Sequence, residues 1–367
     1  MYQGRWLAVL LVFALCGCTT FVTRQIERPG HDNRAQLEWF RQLLKQANFQ
    51  FHSVSTRQGA RMVYWYGQPR AYDFKPAITE QHAKGRSSVS INFGFHSDSD
   101  FAVALTKAPL LAPRGSVVLL HPWSMEGSVL TIWGLELAKA GYVVVIPDLR
   151  SHGESADAPV GYGPRESDDI VDLVHDLRAA NRLPGPLYLF GVSYGGTVAL
   201  FAAPKLADVH GVIALEPYVN AAAVIRRAPA SGLFGYRWLA SLISSREMDN
   251  AIQRASRQLG VELAHVDPGD ALAQTRACVL ILRGADDNLI EGDALRVLSQ
   301  RSPRASYVEV SEEGHLNLPL RTDRLMPPLL EWMQTLPTDR GKSCPTFVPL
   351  PFAPPPTASP AAPAQVP

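Results

Sequence analysis

The alternation of hydrophobic and polar positions changes character near Pro113. Beyond it, unbroken apolar runs at 116–120 (SVVLL), 142–146 (YVVVI), 187–190 (LYLF), 211–215 (GVIAL) and 278–282 (CVLIL) alternate with helical periodicity at 128–140, 166–181, 194–206, 292–300 and 323–335. Strands that are apolar on both faces and separated by helices predict an α/β fold, a mostly parallel central sheet flanked by helices. Before Pro113, residues 34–47 put Leu37, Phe40, Leu43, Leu44 and Ala47 on one helical face, an amphipathic helix for the body to cover. Segments rich in β-formers at Met62–Tyr66, Val89–Phe93 and Phe101–Leu105 predict leading antiparallel strands. A long insert at about 217–272 separates two of the apolar strands. Within it, 236–259 carries Leu239, Leu242, Ile243, Ile252, Ala255 and Leu259 at helical intervals. That spacing suits a helical cap over the sheet edge and, equally, packing helices with no gating role.

The two ends have other compositions. Residues 6–15 (WLAVLLVFAL) are apolar and follow Arg5, the pattern of a signal-peptide core. The next residues, Leu15-Cys16-Gly17-Cys18, resemble the lipobox of bacterial lipoproteins, which implies cleavage after residue 17 and acylation of Cys18. By that resemblance Thr19 favours the outer membrane, so the expected location is the cell envelope, lipid-anchored and facing the periplasm. At the other end, Pro345–Pro367 holds nine prolines and no charge. This predicts a disordered or polyproline-like tail over 338–367, open to an envelope partner. The division is then 1–17 signal peptide, 18–112 extension and leading strands, 113–337 α/β domain with its insert, and 338–367 tail.

Charge narrows the partners. Lys plus Arg number 35 and Asp plus Glu 34, which leaves no global field to draw in nucleic acid. The four cysteines, at 16, 18, 278 and 344, fit neither a zinc nor a disulfide framework by spacing, and Cys278, in an apolar strand, reads as an inert core thiol.

The chemistry concentrates at Gly191-Val192-Ser193-Tyr194-Gly195-Gly196, between the strand LYLF and a helix beginning near Thr197. Small residues on both sides let the chain turn sharply and expose the Ser193 oxygen, with the N–H of Tyr194 at the helix start free to meet a developing oxyanion. A serine hydroxyl needs a base, and the base needs an orienting acid. His315 lies just past the strand SYVEV and Gly314. After CVLILRG come Asp286 and Asp287, either of which could serve it, and Glu216 past GVIAL is a weaker alternative. His31, His52, His82, His175, His210 and His265 suit surface or packing roles. No H-E-x-x-H, no histidine and carboxylate cluster at ligand spacing and no glycine-rich phosphate loop stands out, so neither metal nor cofactor is expected.

These segments, in this order over about 113–336, resemble the α/β-hydrolase family of serine esterase and lysophospholipase-like enzymes. The resemblance implies Asp287 as the acid, since Gly284, Asp287 and Ile290 match the family's G-x-x-D-x-x-[VI]. It implies Trp123 of His121-Pro122-Trp123 as the second oxyanion N–H donor, although Pro122 stands where glycine is usual and can reshape that loop. Residues 148–155 (DLRSHGES) resemble the family's D-x-R-G-H-G-x-S turn, read as a structural border of the site. The expected activity is cleavage of a small-molecule acyl ester through an acyl-enzyme on Ser193. The same residues would also serve a peptidase or a thioesterase, and the fold could serve a non-catalytic envelope lipoprotein as an interaction module.

Overall fold

A computed structural model describes residues 19–28, 34–73, 76–83, 86–93, 105–231 and 243–351. The signal segment and Cys18, Phe101–Ala104, the 236–242 part of the insert and the tail beyond Pro351 lie outside the described residues.

Among the described residues ten strands form: β1 (Gln50–Ser55), β2 (Arg61–Gly67), β3 (Pro76–Ala83), β4 (Arg86–Phe93), β5 (Gly115–Leu120), β6 (Tyr142–Pro147), β7 (Leu187–Val192), β8 (Val209–Leu215), β9 (Cys278–Gly284) and β10 (Ala305–Val310). Eight of them make one sheet in the order β1-β2-β6-β5-β7-β8-β9-β10, and β3 and β4 pair as a separate hairpin. β1–β2 and β2–β6 are antiparallel, and every neighbour from β6 to β10 is parallel. The parallel strands β5, β6, β7 and β9 are buried along their whole length, which is why they read as continuous apolar runs. Each face of the sheet carries its own apolar core. One packs Ile170, Leu173, Val198 and Ala251 against Val118, Leu189 and Val279; the other packs Trp133, Leu325 and Trp332 against Val144, Phe190 and Leu280.

The helices used below are α1 (19–27), α2 (Arg34–Gln46), α3 (Thr131–Lys139), α4 (Pro164–Ala179), α5 (Tyr194–Ala202), α6 (Ala221–Ser231), α7 (Ser245–Leu259), α8 (Gly269–Gln274), α9 (Gly292–Ser299) and α10 (Thr322–Thr335). α2 is the amphipathic helix expected from its periodicity, and its Arg41 is clamped to Glu126 and Glu154. Among the described residues no helix is long and apolar enough to cross a membrane.

The C-terminal segment departs from expectation twice. Cys278 and Cys344 form a disulfide across 66 residues of chain, so Cys278 is not a free core thiol. Spacing gave no sign of the bond because the partners meet only after β9 is in the sheet and the segment after α10 has turned back beside it. Closing such a loop stabilises a fold by about 2–4 kcal/mol. The described start of the proline-rich stretch is docked rather than loose. The Trp332 indole N–H donates to Pro345 O (3.2 Å), Phe347 is buried, and Leu350 N–H donates to Arg324 O (3.2 Å).

Candidate active site

The site forms where three parallel strands end. β7 runs straight into α5 through Ser193, whose φ of 51° and ψ of −110° is a conformation that a non-glycine residue holds only when its surroundings enforce it. They do so by close packing. A Cβ on Gly195 would stand 2.1 Å from Leu120 O, and one on Gly191 would stand 2.1 Å from Gly195 O. The glycines therefore let α5 start hard against the ends of β5 and β7, while Ser193 N–H donates to Leu215 O (2.7 Å) of β8. Tyr194 heads α5, so its N–H belongs to the first helical turn, where no carbonyl lies four residues behind to accept it.

His315, on the loop after β10, faces Ser193. Its Nε2 lies 3.1 Å from Ser193 Oγ and its Nδ1 lies 2.8 Å from Asp287 Oδ2. The other Asp287 oxygen accepts the N–H groups of Leu289 (2.6 Å) and Ile290 (3.0 Å), which fixes the carboxylate. Asp286 instead gives its N–H to Glu313 O (2.9 Å), tying the acid loop to the histidine loop. The geometry thus joins Ser193, His315 and Asp287 and separates the two competing aspartates. Burial works against a charge on His315, but the Asp287 hydrogen bond and the nearby carboxylates outweigh it and hold the imidazole above its ordinary range.

The weaker alternative is also present. Glu216 Oε2 lies 3.3 Å from His315 Nδ1, so the imidazole faces two carboxyls. Among the described residues, Glu216, Asp287 and His315 bring donor atoms within 4.8 Å of one another, close enough to hold a metal ion. Sequence spacing hid this cluster because its members are far apart in the chain. The histidine nitrogens are nevertheless already directed, one at Asp287 and the other at Ser193.

The loop containing Pro122 has its own support. His121 is fully buried, and burial lowers it to about 4, so its ring is neutral. Nε2 accepts Leu149 N–H (2.9 Å), which leaves the proton on Nδ1 to donate to Pro122 O (2.8 Å). The next side chain, Trp123, stacks on Tyr162 (4.7 Å between centroids, 28°) and sets its edge to Tyr194. The DLRSHGES stretch is a structural border, as expected. Asp148 accepts Gly127 and Glu154 N–H (2.7 and 2.8 Å), and Arg150 is buried against Asp169 (2.7 Å).

Trp123, Tyr162, Tyr194, Tyr218, Val224, Ile225, Ala228 and Leu289 line a small cleft that opens on Ser193. Its walls come partly from α6, which lies in the described part of the insert. Apart from Trp123 and Tyr194, these residues were not singled out from sequence. Nothing in their spacing marks them, because they converge from four separate segments.

Residues 117–326 match the alpha/beta hydrolase family. The pimeloyl-[acyl-carrier protein] methyl ester esterase of Xylella fastidiosa is 24% identical over 258 residues, covering 60% of this chain and 96% of that protein. Two solved structures share the fold. One is a membrane phospholipase A, described as a bacterial virulence factor, at 16% identity, TM-score 0.53, covering 91% of this chain and 100% of the other. The other is an esterase of Pyrococcus furiosus, at 16% identity, TM-score 0.52, covering 79% and 90%. The family match begins in β5, ends in α10 and takes in Ser193, Asp287 and His315, and on that ground the chain belongs to the alpha/beta hydrolase family.

Proposed function

We propose that this protein hydrolyses carboxylic esters through an acyl-enzyme on Ser193. The observation that carries the reading is the line of hydrogen-bond distances from Asp287 through His315 to Ser193, 2.8 and 3.1 Å. With Nδ1–H donated to Asp287, the Nε2 lone pair faces the serine hydroxyl and takes its proton as Oγ attacks the carbonyl. The backbone N–H groups of Tyr194 and Trp123 receive the oxyanion, each contributing on the order of 3 kcal/mol to the transition state. His315 then protonates the leaving alcohol, and water, activated by the same histidine, releases the acid. Among the described residues the cleft has aromatic and aliphatic walls and no charged side chain, which favours an uncharged, apolar acyl group. The likeness to a methyl ester esterase supports an ester over an amide.

A fluorophosphonate probe tests the reading. Digestion of the labelled protein should yield one adduct, on the peptide containing Ser193, and a panel of nitrophenyl esters should be cleaved with apolar acyl chains preferred over charged ones. A folded protein that takes no label, or takes it elsewhere, refutes the reading.

The proposal extends to location: a lipid anchor on Cys18 that holds the enzyme in the cell envelope. The Cys278–Cys344 bond supports this, since disulfides persist mainly in oxidising compartments outside the cytosol. In a bacterial host, Cys18→Ser should move the protein from the membrane fraction to the soluble fraction, and unchanged fractionation counts against the anchor.

A further inference from the structure

We infer that Glu216 is a second positioning residue for His315, a reserve carboxyl that shares the Nδ1 face of the imidazole with Asp287. The inference rests on the reading of His315 as the base. Glu216 is the first residue past β8, and Asp287 lies on the loop past the adjacent strand β9, so the sheet itself brings both acids to one side of the histidine. Its backbone is held in place. Glu216 has φ of 50°, in the left-handed region, and its N–H donates to Leu282 O (2.6 Å) at the end of β9.

The side chain is fully buried, and its two oxygens are in different situations. Oε1 accepts Gly284 N–H (3.2 Å). Among the described residues Oε2 has no hydrogen-bond partner, and it stands 3.3 Å from His315 Nδ1. The fold asks of this position only an acceptor for Gly284 N–H, which a neutral amide oxygen supplies as well. A buried carboxyl with its spare oxygen aimed at the imidazole needs another explanation. Asp287 has less to spare, because its Oδ1 is occupied by Leu289 and Ile290 N–H and only Oδ2 reaches the ring.

The charged and titratable groups facing Glu216 are His315, Asp287 and Arg283. The Arg283 guanidinium is turned to the Ile290 and Asp287 carbonyls (2.8 and 2.7 Å), which leaves the imidazole as the cation that Glu216 can serve. Burial pushes Glu216 up to about 8, and the Asp287 charge acts in the same direction. Glu216 and His315 therefore titrate as a coupled pair, and the acid limb of the rate profile belongs to both. Glu216 holds His315 up only in its ionised form, and to that extent its loss moves the limb to lower pH.

The test compares Glu216→Gln, Asp287→Ala and the double variant, with Glu216→Met as a second replacement of similar size. Each is checked for folding by its melting curve and then assayed for kcat and KM across pH. Glu216→Gln or Glu216→Met should lower kcat with KM nearly unchanged and shift the acid limb downward. Asp287→Ala should lose about 10²-fold, and the double variant should fall to the roughly 10⁴-fold loss expected when a triad histidine has no acid at all. A double variant no slower than Asp287→Ala, together with an unmoved limb, overturns the inference. So does failure of both Glu216 variants to fold, which would make the carboxyl a structural requirement. If His315→Ala retains turnover, the reading of the base fails first, and that outcome is distinct from these.

Discussion

Ser193→Ala is expected to lower kcat/KM on an apolar nitrophenyl ester by about 10⁴- to 10⁶-fold while leaving the melting temperature unchanged or slightly raised. The kinetic loss follows from chemistry: His315 then has no hydroxyl to deprotonate, and only the oxyanion donors and the cleft remain. The stability result follows from the turn. Ser193 is 8% exposed and its hydroxyl faces His315, so an alanine there removes no contact that the core needs. The conformational strain at φ 51° belongs to any side chain bearing a Cβ, and Ser193→Gly should relieve it, raising the melting temperature of an equally inactive protein. Measuring both variants by turnover and thermal unfolding separates the two effects. A loss below tenfold in Ser193→Ala would mean that the nucleophile lies elsewhere, whatever the geometry suggests.

That turn was legible in the sequence because its requirements are local. A strand, a serine between glycines and a helix leave few other conformations, and β7 and α5 fall where the apolar run and the helical pattern put them. The parallel strands β5, β6, β7 and β9 were equally plain, since burial on both faces leaves few polar positions. β1 and β3 were not. β1 (QFHSVS) is an edge strand with every residue at least partly exposed, so it carries no apolar run, and its pairing partner β2 alone showed the signal. The choice between Asp286 and Asp287 rested on family spacing, and the physical reason appears only in three dimensions: Asp286 gives its N–H to Glu313 O, while the Asp287 carboxylate is fixed by two N–H groups of its own loop. Glu216 could be named from its place after β8, but its distance to the imidazole depends on the register of β8 with β9. The cleft and the disulfide share that dependence. Both are made by segments that become neighbours only through the sheet.

Glu313→Ala should cost about 3–5 kcal/mol of stability and a large part of the activity, although the residue touches neither Ser193 nor the cleft. Glu313 is fully buried two positions before His315, and its Oε1 accepts from Arg321 Nη1 (2.8 Å) and Arg324 Nη1 (2.7 Å), both themselves buried. Its main chain is as constrained as its side chain. The carbonyl accepts Asp286 N–H, and a Cβ on Gly284 would stand 2.2 Å from it. One residue thus joins the base loop to the acid loop and to the start of α10. An alanine would leave two buried guanidinium groups without the carboxylate they share, and removing one partner of a buried ion cluster is far more costly than replacing the whole cluster with apolar groups. Arg321 would keep Asp323 (2.9 Å), and Arg324 would keep the carbonyls of Ser311 and Leu350 (3.1 and 3.2 Å), which argues for a loosened loop rather than a lost sheet. Denaturant unfolding should show the loss, and Glu313→Leu with Arg321→Leu and Arg324→Leu should recover most of it, since that replacement leaves no charge buried. Activity is expected to separate from stability in the triple variant, because the apolar repacking restores the core but not the ionic ties that set the loop bearing His315. If the triple variant recovered full turnover along with its stability, the cluster would be a matter of folding alone, and the placement of His315 would have to come from Asp287 and Glu216 without it.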